Sequence, residues 1–194
     1  TGLVVFGDWW DDKWRRRQQL AHRLAKRRLF QSVLYVEYPL TLPSLARFLL
    51  GRADSEATKR WRRVFRHGFL YKPEDSDVWV LTPLSLFSQF GESSANKIQT
   101  CWQYGQLRSA FRQLFHGTPP GDLAVIVATP YRSYQYYASL GLKLMGYDCA
   151  DDFTQAYNLT DKRRLTIVKN DEELARHAQV VTCVAESLVQ LQKP

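Results

Sequence analysis

The chain has 194 residues, is 45% hydrophobic and carries a net charge of +8, enough apolar content for one α/β domain with a real core. No run approaches the roughly 18 apolar residues of a membrane span, and the chain opens in an apolar strand rather than a signal peptide, so nothing here targets it for export. Cys101, Cys149 and Cys183 are far apart, odd in number and without CxxC spacing, which suits reduced packing thiols in a cytoplasmic setting.

The run Leu3-Val4-Val5-Phe6, closed by Gly7, reads as a buried parallel strand. Asp11 or Asp12 can cap the helix that follows, which carries Leu20, Ala21, Leu24 and Ala25 on one face. Val33-Leu34-Tyr35-Val36 then completes a βαβ unit. Ligands of such sheets bind at the carboxyl ends of the strands, so the loop of residues 8–13, with Trp9, Trp10 and three carboxylates, should face the ligand.

Positive charge is concentrated in two segments. Residues 13–28 hold Lys13, Arg15, Arg16, Arg17, Arg23, Lys26, Arg27 and Arg28 with no acid, and residues 59–66 add Lys59, Arg60, Arg62, Arg63 and Arg66. Such faces are either simply solvated, drawn to anionic lipid, or able to bind nucleic-acid phosphates. No zinc-finger spacing, RRM signature or KH loop accompanies them, which leaves nucleic acid a minor alternative.

The segment 40–52 reads as a short helix with Pro43 in its first turn and Gly51 at its end, apolar around most of its circumference and therefore in need of cover. A second helix over 55–67 sets Trp61, Val64 and Phe65 among bases; the pair either packs on the sheet edge or forms an interfacial patch. Residues 69–72 and 78–81 flank a polar turn and read as a hairpin, with a loop over 85–94. A long helix over 96–115 is broken at Gly117-Thr118-Pro119-Pro120-Gly121. Leu123-Ala124-Val125-Ile126-Val127-Ala128 is the clearest buried strand, and the tyrosine stripe of the helix after it reads as core and rim.

A short strand near residue 143 runs into Asp148, Asp151 and Asp152, three carboxylates within five residues. Like charges this close repel unless a base, a metal or a ligand offsets them. Either one caps the next helix while the others are solvated, or the cluster supplies a general base or a binder of acceptor hydroxyls at the sheet edge. Residues 161–178 read as helix, with Asp171, Glu172 and Glu173 at an N-terminal turn, followed by a last strand over 180–184 and a helix from Ser187.

The sum is a doubly wound, mainly parallel, Rossmann-like α/β sheet with helices on both faces. Glu37 ends the second strand where an acid could hold a ribose, but the first turn offers only Gly7 and sets Trp9 and Trp10 where a pyrophosphate would approach, so an NAD site is not expected. There is no P-loop and no Gly-x-Ser-x-Gly elbow, and His22, His67, His116 and His177 show no metal-ligand pairing.

Three segments carry a family resemblance: residues 14–25, beginning Trp14-Arg15-Arg16-Arg17-Gln18-Gln19; Val33-Leu34-Tyr35-Val36-Glu37; and Tyr147-Asp148-Cys149-Ala150-Asp151-Asp152-Phe153. Together they resemble the amino-terminal half of GT-B glycosyltransferases of the bacterial group that builds capsule and exopolysaccharide. The first departs from the usual pattern, because Arg17 stands where a proline is common. The resemblance implies a single acceptor-binding domain over residues 1–194, with the nucleotide-sugar domain absent from this chain, so that the chain alone should not turn over. The donor of the full-length enzyme would be a nucleotide-diphosphate sugar, and no cofactor or metal is expected in this domain. Many relatives place a histidine after the strand that here ends at Tyr147; this chain has Asp151 and Asp152 instead, and one of these is expected as the base or acceptor-orienting group. Gly7, Asp8, Trp9, Trp10, Asp12 and Asp148 would bind the acceptor, with Arg16 and Gln18 either joining them or serving as scaffold for the loop. The acceptor would be a saccharide or lipid-linked saccharide, reached by a peripheral protein at the inner face of the cell membrane. A different reading is a non-catalytic α/β module that binds anionic lipid or polyanion through Arg23, Arg27, Arg28, Arg60, Arg62 and Arg63. A third is a nucleotide-binding enzyme complete in itself.

Overall fold

The computed structural model describes residues 2–10, 16–87, 94–143, 146–149 and 160–183. Asp11, Asp12, Lys13, Trp14 and Arg15, the aspartates Asp151 and Asp152, and the helix expected from Ser187 lie outside the described residues. In chain order the elements are β1 (Gly2–Phe6), α1 (Arg16–Lys26), β2 (Ser32–Val36), β3 (Leu40–Thr41), α2 (Leu42–Leu49), α3 (Ser55–His67), β4 (Leu70–Tyr71), β5 (Val78–Leu81), β6 (Leu84–Ser85), α4 (Ser94–Phe115), β7 (Ala124–Val127), α5 (Tyr134–Ser139), β8 (Gly146–Cys149), α6 (Asp161–His177) and β9 (Val180–Cys183).

Seven strands form one sheet in the order β4-β5-β2-β1-β7-β8-β9, parallel throughout except for β4, which pairs antiparallel with β5 as the expected hairpin. β1 is apolar without alternation because both of its faces are covered. On one face Val4, Phe6, Leu34, Val36, Val125 and Val127 pack with Leu107, Phe111, Tyr137, Leu140 and Leu174 of α4 to α6. On the other, Leu3, Val5, Val33, Tyr35, Val78 and Val80 pack with Ala21 and Ala25 of α1. From β1 the chain winds outward through β2 and β5, returns to β7 and winds outward the other way, so the direction reverses between β1 and β7. A crevice opens at the carboxyl ends of strands at such a reversal.

Four expectations need correction. Ser85 does not open a loop: with Leu84 it pairs in parallel with β3 in a separate two-stranded sheet, Leu40 opposite Leu84 and Thr41 opposite Ser85. Helix α2 is not covered. It is held on α3 through Leu45, Phe48 and the buried Trp61, whose Nε1–H donates to Ser44 Oγ at 3.0 Å, while Leu49 and Leu50 on its far side remain 70% and 68% exposed. Asp171, Glu172 and Glu173 do not open α6, because the Thr160 hydroxyl caps the helix a full ten residues earlier by accepting the Arg163 N–H. Cys149 is buried and Cys183 half-buried, but Cys101 is exposed on α4 and is not a packing thiol.

Candidate functional site

The loop leaving β1 is held from behind by the first turn of α1. Arg17, buried on that turn, is ion-paired with Asp8, and the fully buried Gln18 donates from Nε2 to the Trp9 carbonyl oxygen at 2.8 Å. Gly7 donates its N–H to Val36 O at 3.1 Å and packs its bare Cα against the Tyr35 hydroxyl. Trp10 turns inward: its backbone N–H donates to Glu37 Oε1 at 2.5 Å and its ring meets Tyr35 edge-on, with centroids 5.1 Å apart. Of the two tryptophans expected to bind the acceptor, Trp9 lines a cavity and Trp10 belongs to the core.

Glu37 at the end of β2 is the charge around which this region is organised. Its Oε2 accepts from Arg63 Nη2 at 2.5 Å and from the Thr82 hydroxyl at 2.6 Å, and Arg60 Nη2 stands 3.6 Å away. Arg60 also donates to the Tyr38 carbonyl oxygen. Burial lowers the Arg60 pKa, an effect that the Glu37 charge opposes. Arg60 and Arg63 are therefore not part of an exposed anion patch: a buried carboxylate at their helical face draws them in. Arg62 on the same helix is exposed, as are Arg23, Arg27 and Arg28 at the far end of α1. Three hydrogen bonds and two arginines already hold the buried Glu37 carboxylate, which makes it a poor partner for a ribose.

Arg16 and Asp148, from two of the quoted segments, meet: Arg16 Nη2 lies 3.0 Å from Asp148 Oδ1, which also accepts from the Thr182 hydroxyl at 2.7 Å. This pair bridges the start of α1 to the end of β8. Asp148 is buried and does not line the cavity.

The cavity, of about 350 Å³, sits in the crevice at the strand reversal. Phe6, Gly7 and Trp9 come from the end of β1, Val36, Glu37, Tyr38 and Pro39 from the end of β2, and Pro83 from the end of β5. Thr129, Tyr131 and Arg132 follow β7, Tyr136 and Tyr137 belong to α5, and Gln103 to α4. Its volume is at the low end of the roughly 300–1,000 Å³ range of small-molecule sites, suited to a ligand of one or two rings. The Tyr38 and Tyr131 rings lie 5.4 Å apart, the Arg60 guanidinium sits 5.3 Å over the Trp9 ring, and Arg132 sits 4.7 Å over the Tyr136 ring. Burial raises the phenol pKa of Tyr38 well above its ordinary value, with the Asp8 charge adding to it, and pushes that of Tyr136 to about 12. Both stay neutral hydrogen-bonding groups at physiological pH.

The aromatic walls offer ring faces, and the hydroxyls, Gln103 and Arg132 offer directional contacts. Among the described residues Glu37 is the only acidic residue of the lining, and its carboxylate is buried against Arg60 and Arg63. Tyr38, Gln103, Thr129, Arg132 and Tyr136 escaped the reading of the sequence, and Tyr131 and Tyr137, read as core and rim, line the cavity as well. The one signal was that Thr129-Pro130-Tyr131-Arg132 leaves the clearest buried strand, beside the strand reversal.

Elsewhere, a polar groove formed by His22, Lys26 and the β4–β5 turn lies at the amino end of β5, away from the crevice. Among the described residues no group of three His, Cys, Asp or Glu side chains gathers to hold a metal, and no helix is long and apolar enough to cross a membrane. Comparison with protein-family models, with curated proteins and with solved structures finds no match for this chain.

Proposed function

We propose that this chain is the acceptor-binding domain of a GT-B glycosyltransferase that passes a sugar from a nucleotide-diphosphate donor to a saccharide or lipid-linked saccharide in cell-surface polysaccharide synthesis. The observation that carries the reading is the cavity at the strand reversal, walled by Trp9, Tyr38, Tyr131, Tyr136 and Tyr137. Aromatic faces pack against the apolar C–H face of a pyranose while neutral hydroxyls and amides meet its hydroxyl groups. In this reading Asp8, Arg17 and Gln18 are the scaffold of the Trp9 loop, and Asp151 or Asp152 supplies the base or orients the acceptor in the full-length enzyme.

Ligand-detected NMR of the chain with a panel of methyl pyranosides tests it. Saccharide binding that disappears in Trp9→Ala supports the domain assignment, and loss of transfer in the Asp151→Asn or Asp152→Asn full-length protein supports the catalytic one. Micromolar binding of a nucleotide, with no saccharide bound, overturns both in favour of a nucleotide-binding enzyme.

A second reading, association with an anionic membrane, rests on α2 and α3. Leu42, Leu49, Leu50 and Phe65 are exposed beside the exposed bases Arg47, Arg52, Arg62 and Arg66. Apolar side chains flanked by arginine suit a headgroup boundary, and each base contributes about 1 kcal/mol near an anionic surface. Cosedimentation with phosphatidylglycerol vesicles but not with phosphatidylcholine vesicles, weakened by Leu49→Ser with Leu50→Ser, is the expected result. Equal recovery with both vesicle types removes it.

A further inference from the structure

Two residues that line the cavity carry buried hydrogen-bond donors that the folded chain does not satisfy. Gln103 is 1% exposed, and its amide oxygen accepts from Arg132 Nη2 at 2.9 Å. That bond fixes which end of the amide is oxygen and leaves Nε2 as a donor, buried and without a partner. The indole Nε1 of Trp9 is also buried without a partner. Neither nitrogen can accept, and a buried donor left unpaired is costly, so both require an acceptor from outside the chain.

Charge around the cavity has the same sense. Glu37 is matched by Arg60 and Arg63, and Asp8 behind the loop by Arg17. Arg132 lines the cavity with no carboxylate paired to it among the described residues, and its guanidinium donates to the Gln103 oxygen. The wall therefore carries one unmatched positive charge beside an amide donor, with a second donor on Trp9. A neutral hydroxyl can accept from such a wall but brings a donor of its own and no charge to meet Arg132. A carboxylate or phosphate only accepts, offers several lone pairs, and makes charge-assisted bonds roughly twice as strong as neutral ones.

Resting on the saccharide reading above, we infer that the acceptor is an acidic saccharide whose oxyanion is held by the Gln103 amide and the Arg132 guanidinium, with the Trp9 indole N–H bonded to another oxygen of the same ligand. The oxyanion is a carboxylate or a phosphate ester. The tyrosine rings take the apolar face of the sugar, and no metal is needed to hold the negative charge because Arg132 supplies the counter-charge.

Calorimetric titration of the chain with methyl glucoside, methyl glucuronoside, glucose 6-phosphate and uridine monophosphate tests the inference. One or both acidic sugars should bind at least about tenfold more tightly than the glucoside, and the tighter of the two identifies the oxyanion. Arg132→Gln should bring the acidic sugars down to the level of the glucoside. Gln103→Glu, which sets a carboxylate against the ligand, should weaken binding of the acidic sugars by a larger factor than binding of the glucoside. Circular dichroism of each variant establishes that it is folded. Equal affinity for glucoside and acids, or a preference that survives Arg132→Gln, overturns the inference and leaves the saccharide reading standing. Binding of uridine monophosphate with none of the sugars overturns both.

Discussion

Arg63 donates to Glu37 at 2.5 Å, and the Glu37 side chain exposes no surface at all. This pair ties α3 to the end of β2 and, through the Trp10 N–H on the other carboxylate oxygen, to the loop that leaves β1. A buried pair adds little net stability, because desolvation offsets the attraction, but breaking it strands a charge. Glu37→Ala removes the buried carboxylate that both Arg60 and Arg63 face and should cost about 3–5 kcal/mol. Glu37→Gln, which keeps an acceptor for Trp10 and Thr82, should cost less. In urea denaturation, Glu37→Ala with Arg63→Met should be more stable than the summed single effects by at least about 1 kcal/mol. Additive losses would show that the two side chains are not coupled.

Gly7 is required by space rather than by backbone angle. A Cβ there would overlap the Tyr35 hydroxyl and stand 2.8 Å from its ring carbon Cζ. Tyr35 is fully buried and locked against Trp10, so it cannot retreat. Gly7→Ala should destabilise the protein by about 1–3 kcal/mol, as overpacking does. Tyr35→Phe in the same chain removes the nearest atom but not the ring, so rescue should be partial. A thermal melt in which the alanine variant matches the parent would show that the loop has room to move.

Tyr38, Tyr136, Tyr137 and Tyr147 are held as neutral phenols, with burial the first cause in each and the Asp171 carboxylate a further one at Tyr147. An unfolded tyrosine ionises near pH 10. Above that pH the unfolded chain releases protons that the folded chain keeps, so stability must fall as pH rises from about 10 through the raised value of about 12 at Tyr136. The stability these groups confer is complete below pH ~10. Near-ultraviolet absorbance should show only part of the ten tyrosines ionising at first, the rest in one step with the loss of helical circular dichroism. Ten tyrosines titrating together near their ordinary pKa in a still-folded chain would contradict the buried phenols.

The central strands were legible because a strand covered on both faces must be apolar at every position, as Leu3 to Phe6 and Val125 to Val127 are. β3 and β6 were not, since two-residue strands such as Leu40-Thr41 and Leu84-Ser85 are too short to carry a period. Arg60 and Arg63 read as exposed charge, solvated or binding an anionic surface, because a run of bases on a helix usually is. Only the fold shows that Arg60, Trp61 and Val64 share the inward stripe and that Glu37 lies 23 and 26 residues earlier at its end. The site was half legible: the Trp9 loop stood out by composition, whereas Tyr38, Gln103 and Arg132 converge from three separate elements, which no local pattern records. The Arg16–Asp148 contact joins residues that the sequence marked separately.

Adjacent tryptophans with opposite roles offer the sharpest test of this arrangement. Trp10 is buried against Tyr35 in the core packed under α1, so Trp10→Ala opens a cavity and should cost about 3–5 kcal/mol. Trp9 is half-buried, and its fold contacts include the Arg60 guanidinium above its ring, so Trp9→Ala should cost only about 1 kcal/mol. Ligand binding should divide the other way. Trp9→Ala removes both the stacking face and the unpartnered indole N–H of the cavity wall, whereas Trp10→Phe, a milder change that keeps the core filled, should leave affinity within about twofold of the parent, the cavity wall being untouched. Urea midpoints and saccharide titrations on the same three variants check the division. If Trp9→Ala binds as the parent does, or Trp10→Phe abolishes binding in a folded chain, the ligand does not sit in the crevice between β1 and β7.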